Sequence, residues 1–328
     1  MTPILIAVIV LGLGFDFLNG IHDSSNVVAT MISSRAFSPR VALGVTALSE
    51  FSGPFIFGVA VATTIGSEVV SAKAINTVVI LSALVAAILW DLLTWYLGFP
   101  SSSSHALIGG IIGAVVMDSG WRVIELQGLT KILITLFTSP FIGFIIGWIL
   151  LKVIVMLSWR ASPRINGFFK HSQIVTGITL ALSHGTNDAQ KTMGIITLAL
   201  VTSGYLKVFV VPIWVVIMCA LMIALGTSIG GWRLIRTLGG KFYKIRPING
   251  FASQLTSSIV ILGASLLGVP VSTTQVVSSS IMGVGAAERA NKVRWGVAGE
   301  IAVAWLLTIP ATALVAAGIY LVLHRFIL

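Results

Sequence analysis

The sequence predicts an all-α integral membrane protein whose two halves are repeats of opposite orientation, with broken helices and two re-entrant hairpins. Three observations predict it. The 328 residues are 56% hydrophobic and only 9% charged, with a mean hydropathy of +1.03, far from the mix of a soluble domain. Segments of the first half match segments of the second in the same order. The basic loops give the two halves opposite orientations by the positive-inside rule.

Apolar stretches of 18 residues or more recur around 3–33, 41–63, 74–98, 129–157, 171–203, 205–228 and 295–323, with shorter ones near 101–118, 251–268 and 275–287. The N-terminus lacks a basic segment and a small-residue cleavage site, so 3–19 reads as part of the first span rather than a removable signal. The loop 34–40, with Arg35 and Arg40, is expected inside, and 64–73, where Glu68 balances Lys73, outside. The linker 152–170 carries Lys152, Arg160, Arg164 and Lys170, and 231–250 carries Arg233, Arg236, Lys241, Lys244 and Arg246. Neither contains an acid, so both are expected on the cytoplasmic side, leaving Lys207 and both termini outside.

Parity leaves 74–118 either crossing twice or entering from outside and turning back with "PSSSS" at its tip; 251–287 does the same from inside with "PVSTT". Charge counting allows ten crossings or six plus two hairpins. Hairpins are favoured because polar tips at membrane depth are tolerated where they line a protein cavity.

The repeat rests on three ordered matches. "NGIHDSSN" (19–26) over "HGTNDAQK" (184–191) pairs Gly20 with Gly185 and Asp23 with Asp188. "GFPSSSSHALIGGIIG" (98–113) over "GVPVSTTQVVSSSIMG" (268–283) pairs Gly98, Pro100 and Gly113 with Gly268, Pro270 and Gly283. "TSP" at 138–140 falls over "TIP" at 308–310. The chain therefore divides into repeats 1–160 and 161–328 forming one unit. Inverted repeats are a recurring design of secondary transporters, with the site near the midplane at the repeat interface.

The net charge of +10 does not signal nucleic acid, because the basic residues concentrate in two linkers rather than on an aromatic-interleaved patch. Cys219 is the only cysteine, which excludes an intrachain disulfide, and no His/Cys/Glu spacing matches a zinc site. Trp90, Trp95, Trp121 and Trp295 fit interfacial anchors.

Each hairpin motif is Gly-x-Pro followed by hydroxyl residues and a small-residue helix: Ser101, Ser102, Ser103 and Ser104 in one, Ser272, Thr273 and Thr274, then Gln275, in the other. Proline and hydroxyls at a first turn mark a helix N-terminus, whose free N–H groups and positive dipole end suit an anion. One such run would be ordinary packing; two related copies point to a ligand. Gln190 is a further expected anion contact.

Asp23 and Asp188 lie near the centres of long apolar stretches, beside Gly20 and Gly185, where a helix break is expected. Ionisable groups at that depth cost about 2.5 kcal/mol or more and are functional by default. With Asn19, Asn26 and Asn187 they offer an all-oxygen environment suited to Na+, or a proton acceptor. Glu50, in "LSEFSGPF", is an expected coupling residue or a carboxyl held between helices, the latter reading being preferred for Asp91 and Glu300. His22, His184 and His105 read as hydrogen-bonding scaffold. Lys191 either pairs with Asp188 three residues away or helps hold an anion.

At these residues the chain resembles the inorganic phosphate transporter (Pit) family, which includes eukaryotic sodium-phosphate cotransporters and some bacterial sulfate permeases. "NGIHDSSNVVATMISSRAFSPR", "GFPSSSSHALIGG", "SHGTNDAQKTMGIITLAL" and "GVPVSTTQ" resemble its signatures in order and spacing over nearly the whole chain. The resemblance implies a non-enzymatic symport of inorganic phosphate with Na+ or H+ as the coupling ion and no other cofactor. It implies cation ligands at Asp23, Asn26 and Asp188, and phosphate on the serine and threonine tips. Some bacterial members are held to carry a neutral metal-phosphate complex with a proton. The linker 231–250 lacks the long insertion of the eukaryotic relatives, and Ser24 and Ser25 stand where small apolar residues are common.

The expected setting is the cytoplasmic membrane, multi-pass, with phosphate, the coupling cation and lipid as partners; a homodimer is compatible with the sequence. A proton-coupled sulfate permease is the nearest alternative and a passive anion channel a further one. An intramembrane hydrolase using Ser104, His105 and Asp91 is disfavoured, since adjacent serine and histidine point apart on a helix and Gln275 replaces His105 in the second copy.

Overall fold

A computed structural model describes residues 2–67 and 75–327, so the Glu68 and Lys73 of the expected outer loop lie outside the described residues. Among those described there are twelve α-helices and no strand. They are α1 (Pro3–Ser33), α2 (Pro39–Phe57), α3 (Ala60–Ser67), α4 (Thr77–Leu97), α5 (Ser103–Ser119), α6 (Leu126–Leu157), α7 (Ile165–Thr202), α8 (Ile213–Ile229), α9 (Trp232–Arg236), α10 (Pro247–Leu266), α11 (Thr273–Glu288) and α12 (Trp295–Ile327). The series α1 to α6 recurs as α7 to α12, down to the 3-10 turn that precedes the last helix of each set.

α1, α4, α6 and α12 are each long and apolar enough to cross a membrane. At 32 residues, α6 is about 48 Å long, well beyond the ~30 Å hydrocarbon core. Only 22% of the most apolar window of α6 and of α12 is buried, against 61% for α4, so the first two present apolar faces outward while α4 serves the interior. The chain is thus a multi-pass membrane protein.

The helix breaks fall elsewhere than the aspartate motifs suggest. α1 and α7 run unbroken through Gly20 and Gly185. The bends come in the next span of each set: 79° between α2 and α3, 61° between α8 and α9 with the π turn that continues it. Gly58 and Gly230 sit there with φ of 81° and 80°, which a side chain would strain.

Gly20 and Gly185 serve close approach instead. A Cβ on Gly20 would stand 2.3 Å from the Ile223 carbonyl oxygen of α8, and one on Gly185 2.3 Å from that of Glu50 on α2. The reciprocal contacts use Gly226 against Phe17 and Gly53 against Leu182. Each aspartate helix therefore crosses the bent span of the other half, backbone to backbone, as small residues permit in membranes. The expected span 205–228 is also shortened: α8 begins only after Pro212, its N-cap.

The halves are interleaved further. α5 packs along α12 and α11 along α6, so the helix after each tip rests on the last helix of the other half. Gly113 meets the Ala313 backbone and Gly283 the Phe144 backbone, each at a would-be Cβ distance near 2 Å (2.0 and 2.1 Å).

Candidate functional site

The two tips are built alike. Gly98 and Gly268 adopt left-handed φ of 73° and 69°. Behind them Phe99 N–H donates to Thr94 O (3.0 Å) and Val269 N–H to Ala264 O (2.9 Å), the bond that closes a Schellman cap on α4 and α10. Three residues later Ser102 and Ser272 are N-caps, accepting from the N–H groups of His105 (3.2 Å) and Gln275 (3.3 Å). Gly-x-Pro thus ends one helix, and the hydroxyl run starts the next.

The tips meet. Ser104 donates to the Val271 carbonyl (3.0 Å), and the Gln275 amide faces His105 Nε2 at 3.5 Å. Trp305 Nε1 holds the Pro100 carbonyl from α12 (3.0 Å). All eight tip residues, 101–104 and 272–275, are buried. Ser101 is bonded to Thr94 (2.8 Å) and Ser102 also to His105 Nδ1 (2.7 Å). With His105 turned to Ser102 and Ser104 to a carbonyl, no Ser104–His105 nucleophile pair exists.

The aspartate helices reach the second tip. Thr274 donates to Asp23 Oδ1 (2.9 Å) and accepts from Asn26 (3.0 Å), while Thr273 donates to Asp188 Oδ2 (2.8 Å). Ligand atoms of Asp23, His184 and Asp188 lie within 4.8 Å of one another. His184 bridges Asp188 Oδ2 and Glu50 Oε1, at 2.9 Å each, and Glu50 accepts from Thr227 on α8. Glu50 therefore joins the site through His184.

The two carboxylates differ in what remains open. Lys191 pairs with Asp188 Oδ1, so both Asp188 oxygens are engaged. Asp23 Oδ1 is held by Thr274 and His22 Nδ1 (3.0 Å), but its Oδ2 is buried without a protein partner, as is Asn26 Oδ1. Asn187 Oδ1 and both polar atoms of Asn19 are likewise unpartnered, the Asn187 amide donating to Ser265 (2.9 Å). Asp23 and Asn26 share Thr274, and the open carboxylate and amide oxygens they keep suit a hard monovalent cation or, at the carboxylate, a proton.

Gln190 is not turned to the tips. Its Oε1 accepts from Val61 and Ala62 N–H (2.7 and 3.2 Å) and its Nε2 donates to Gly58 O (2.6 Å), which caps α3 at the bend. In place of the anion contact expected of it, its amide here meets the free N–H groups of a helix start. Ser24 does the same for the other bend, accepting from Gly231 N–H (2.8 Å).

Asp91 lies on α4 with both carboxylate oxygens unpartnered, lining a cavity of about 60 Å³ with His22 and Trp95. Sequence reasoning missed Asp16, a buried acid that Thr192 of α7 reaches with its hydroxyl. The signal was its place two helical turns before Asp23, on the same face. Thr94, Thr227 and Ser265 carried no local signal, since hydroxyls that back-bond within apolar helices look the same.

Known proteins are similar to this chain in sequence and in fold. The phosphate transporter family profile, PHO4, matches residues 19–316. A Bacillus subtilis protein named "Probable low-affinity inorganic phosphate transporter" is 44% identical over 323 residues, 97% of each chain. A Rhizobium meliloti protein of the same name is also 44% identical, over 97% of this chain and 96% of its own. A solved structure described as "The sodium-dependent phosphate transporter" superposes with a TM-score of 0.92 at 25% identity, covering both chains in full.

Proposed function

The chain belongs to the phosphate transporter family, a transporter and not an enzyme, and from that premise we propose a cation-coupled symporter binding phosphate between its two buried tips. The carrying observation is that the tips meet each other and that hydroxyls of the second contact both aspartates. Ser103, Ser104, Thr273 and Thr274 lie in the first turns of α5 and α11, where their backbone N–H groups and the Ser103 hydroxyl offer neutral donors to an oxyanion, while the hydroxyls of Ser104, Thr273 and Thr274 donate to Val271, Asp188 and Asp23. Ser101, Ser102, Ser272 and Gln275 shape that cradle through caps and tip contacts.

The coupling cation binds at Asp23 and Asn26, with Asp188, Asn187, Asn19 and Glu50 completing the polar shell. Na+ is supported by the open oxygens of Asp23, Asn26, Asn187 and Asn19 and by the sodium dependence in the description of the structural neighbour. H+ is the second reading, supported by the His22 contact on Asp23. A dianion buried alone is costly, so a bound cation lowers the charge that must cross with it.

The sets 1–160 and 161–328 act as inverted repeats in the cytoplasmic membrane, both termini outside, with α4–α5 and α10–α11 as re-entrant hairpins. Transport follows from rocking one repeat-built unit against the other around the fixed site. Uptake of radiolabelled phosphate and sulfate into proteoliposomes under imposed Na+ or H+ gradients tests this. Phosphate accumulation driven by one gradient is expected; flux that ignores both would show a passive pore, and preference for sulfate would overturn the substrate.

A further inference from the structure

Two sites stand in corresponding places on α1 and α7, and only one is open. The register that pairs Gly20 with Gly185 and Asp23 with Asp188 also pairs Asn26 with Lys191. Both pairs are three residues apart on one helix, so each second residue projects over the same face as its aspartate. On α1 the pair ends in oxygens: Asp23 Oδ2 and Asn26 Oδ1, buried and unpartnered. On α7 it ends in an ammonium lying on Asp188 Oδ1, while His184 and Thr273 hold Oδ2. Lys191 is fully buried, and its pair with Asp188 is internally neutral.

We propose that Lys191 is a tethered cation: its ammonium fills, permanently, the place on the second aspartate that a mobile cation takes on the first. This rests on the symport reading above and deepens it by fixing stoichiometry. A site with two Asp–Asn pairs would take a mobile cation at each aspartate. Here the second is supplied by the chain, so one fewer mobile cation accompanies each phosphate. Because Lys191 stays with the protein on both the loaded and the empty passage, its charge cancels over a cycle and only mobile ions count.

The experiment measures net charge per phosphate from reversal potentials in proteoliposomes at fixed phosphate and cation gradients. In Lys191→Asn, which gives α7 the same pair as α1, the charge moved per phosphate is expected to rise by one, with a steeper dependence of uptake on cation concentration. An unchanged charge number in a transporting Lys191→Asn protein overturns the proposal. A second comparison covers loss of uptake in that variant. Asp188→Asn alone strands a buried ammonium, whereas Asp188→Asn with Lys191→Asn removes a neutral pair, so the double variant is expected to recover uptake about tenfold over the single one, ~1.4 kcal/mol. No recovery, with Lys191→Asn also inactive, overturns the proposal as well. Wild-type uptake that follows no cation gradient would instead defeat the symport reading, and is distinguished by that result alone.

Discussion

α1 and α7 carry the same device on the same scaffold and end in different electrostatic states. Both run unbroken past a glycine that touches the bent span of the other half, and both place an aspartate against the second tip. Yet Asp188 is saturated by Lys191, His184 and Thr273, while Asp23 keeps an open oxygen. If Asp23 is the open cation ligand proposed above, two matching helices divide labour by one side chain, Asn26 on α1 and Lys191 on α7.

The largest effect is expected where the two copies agree. Gly185→Val and Gly20→Val each drive a side chain into a carbonyl of the facing helix, and the loss of folded protein should exceed the ~1–3 kcal/mol typical of overpacking. Thermal stability in detergent, read by fluorescence size-exclusion, checks this, and similar losses in both variants are expected because the contacts are equivalent. Next comes the bend. Gln190→Ala leaves Val61, Ala62 and Gly58 without their partner and should cost about 2–3 kcal/mol, lowering melting temperature. Ser24→Ala removes a single bond from the other bend and should cost about 1 kcal/mol. Equal losses from those two would break the view that α7 clamps its bend more firmly. The smallest effect belongs to the N-caps: Ser102→Ala and Ser272→Ala should each cost about 0.5–1 kcal/mol, with Ser102 at the upper end because it also holds His105.

Much of this architecture is legible in the sequence because Gly, Pro and hydroxyl residues punctuate it. Gly98-x-Pro100 and Gly268-x-Pro270 announce a helix end followed by a start, and that is how the backbone runs. Glycine itself is ambiguous. Gly20 and Gly185 are there for a missing Cβ, Gly58 and Gly230 for positive φ, and composition does not separate these causes. The bends are therefore not legible in the sequence, nor is the use of Gln190, whose buried amide reads as a ligand until the free N–H groups of α3 are placed beside it. The exchange of α5 and α11 between halves depends on contacts far apart in the chain, which no local pattern encodes. Lys191 was legible as an i, i+3 partner of Asp188 or as an anion ligand; the structure shows the ion pair.

The most direct test of the account compares Asp23→Asn with wild type in proteoliposomes, following phosphate uptake as a function of the imposed cation gradient. If Asp23 is the open ligand of the coupling ion, the variant loses the gradient-driven part of uptake, about tenfold or more. Undiminished gradient-driven phosphate uptake by Asp23→Asn would contradict it.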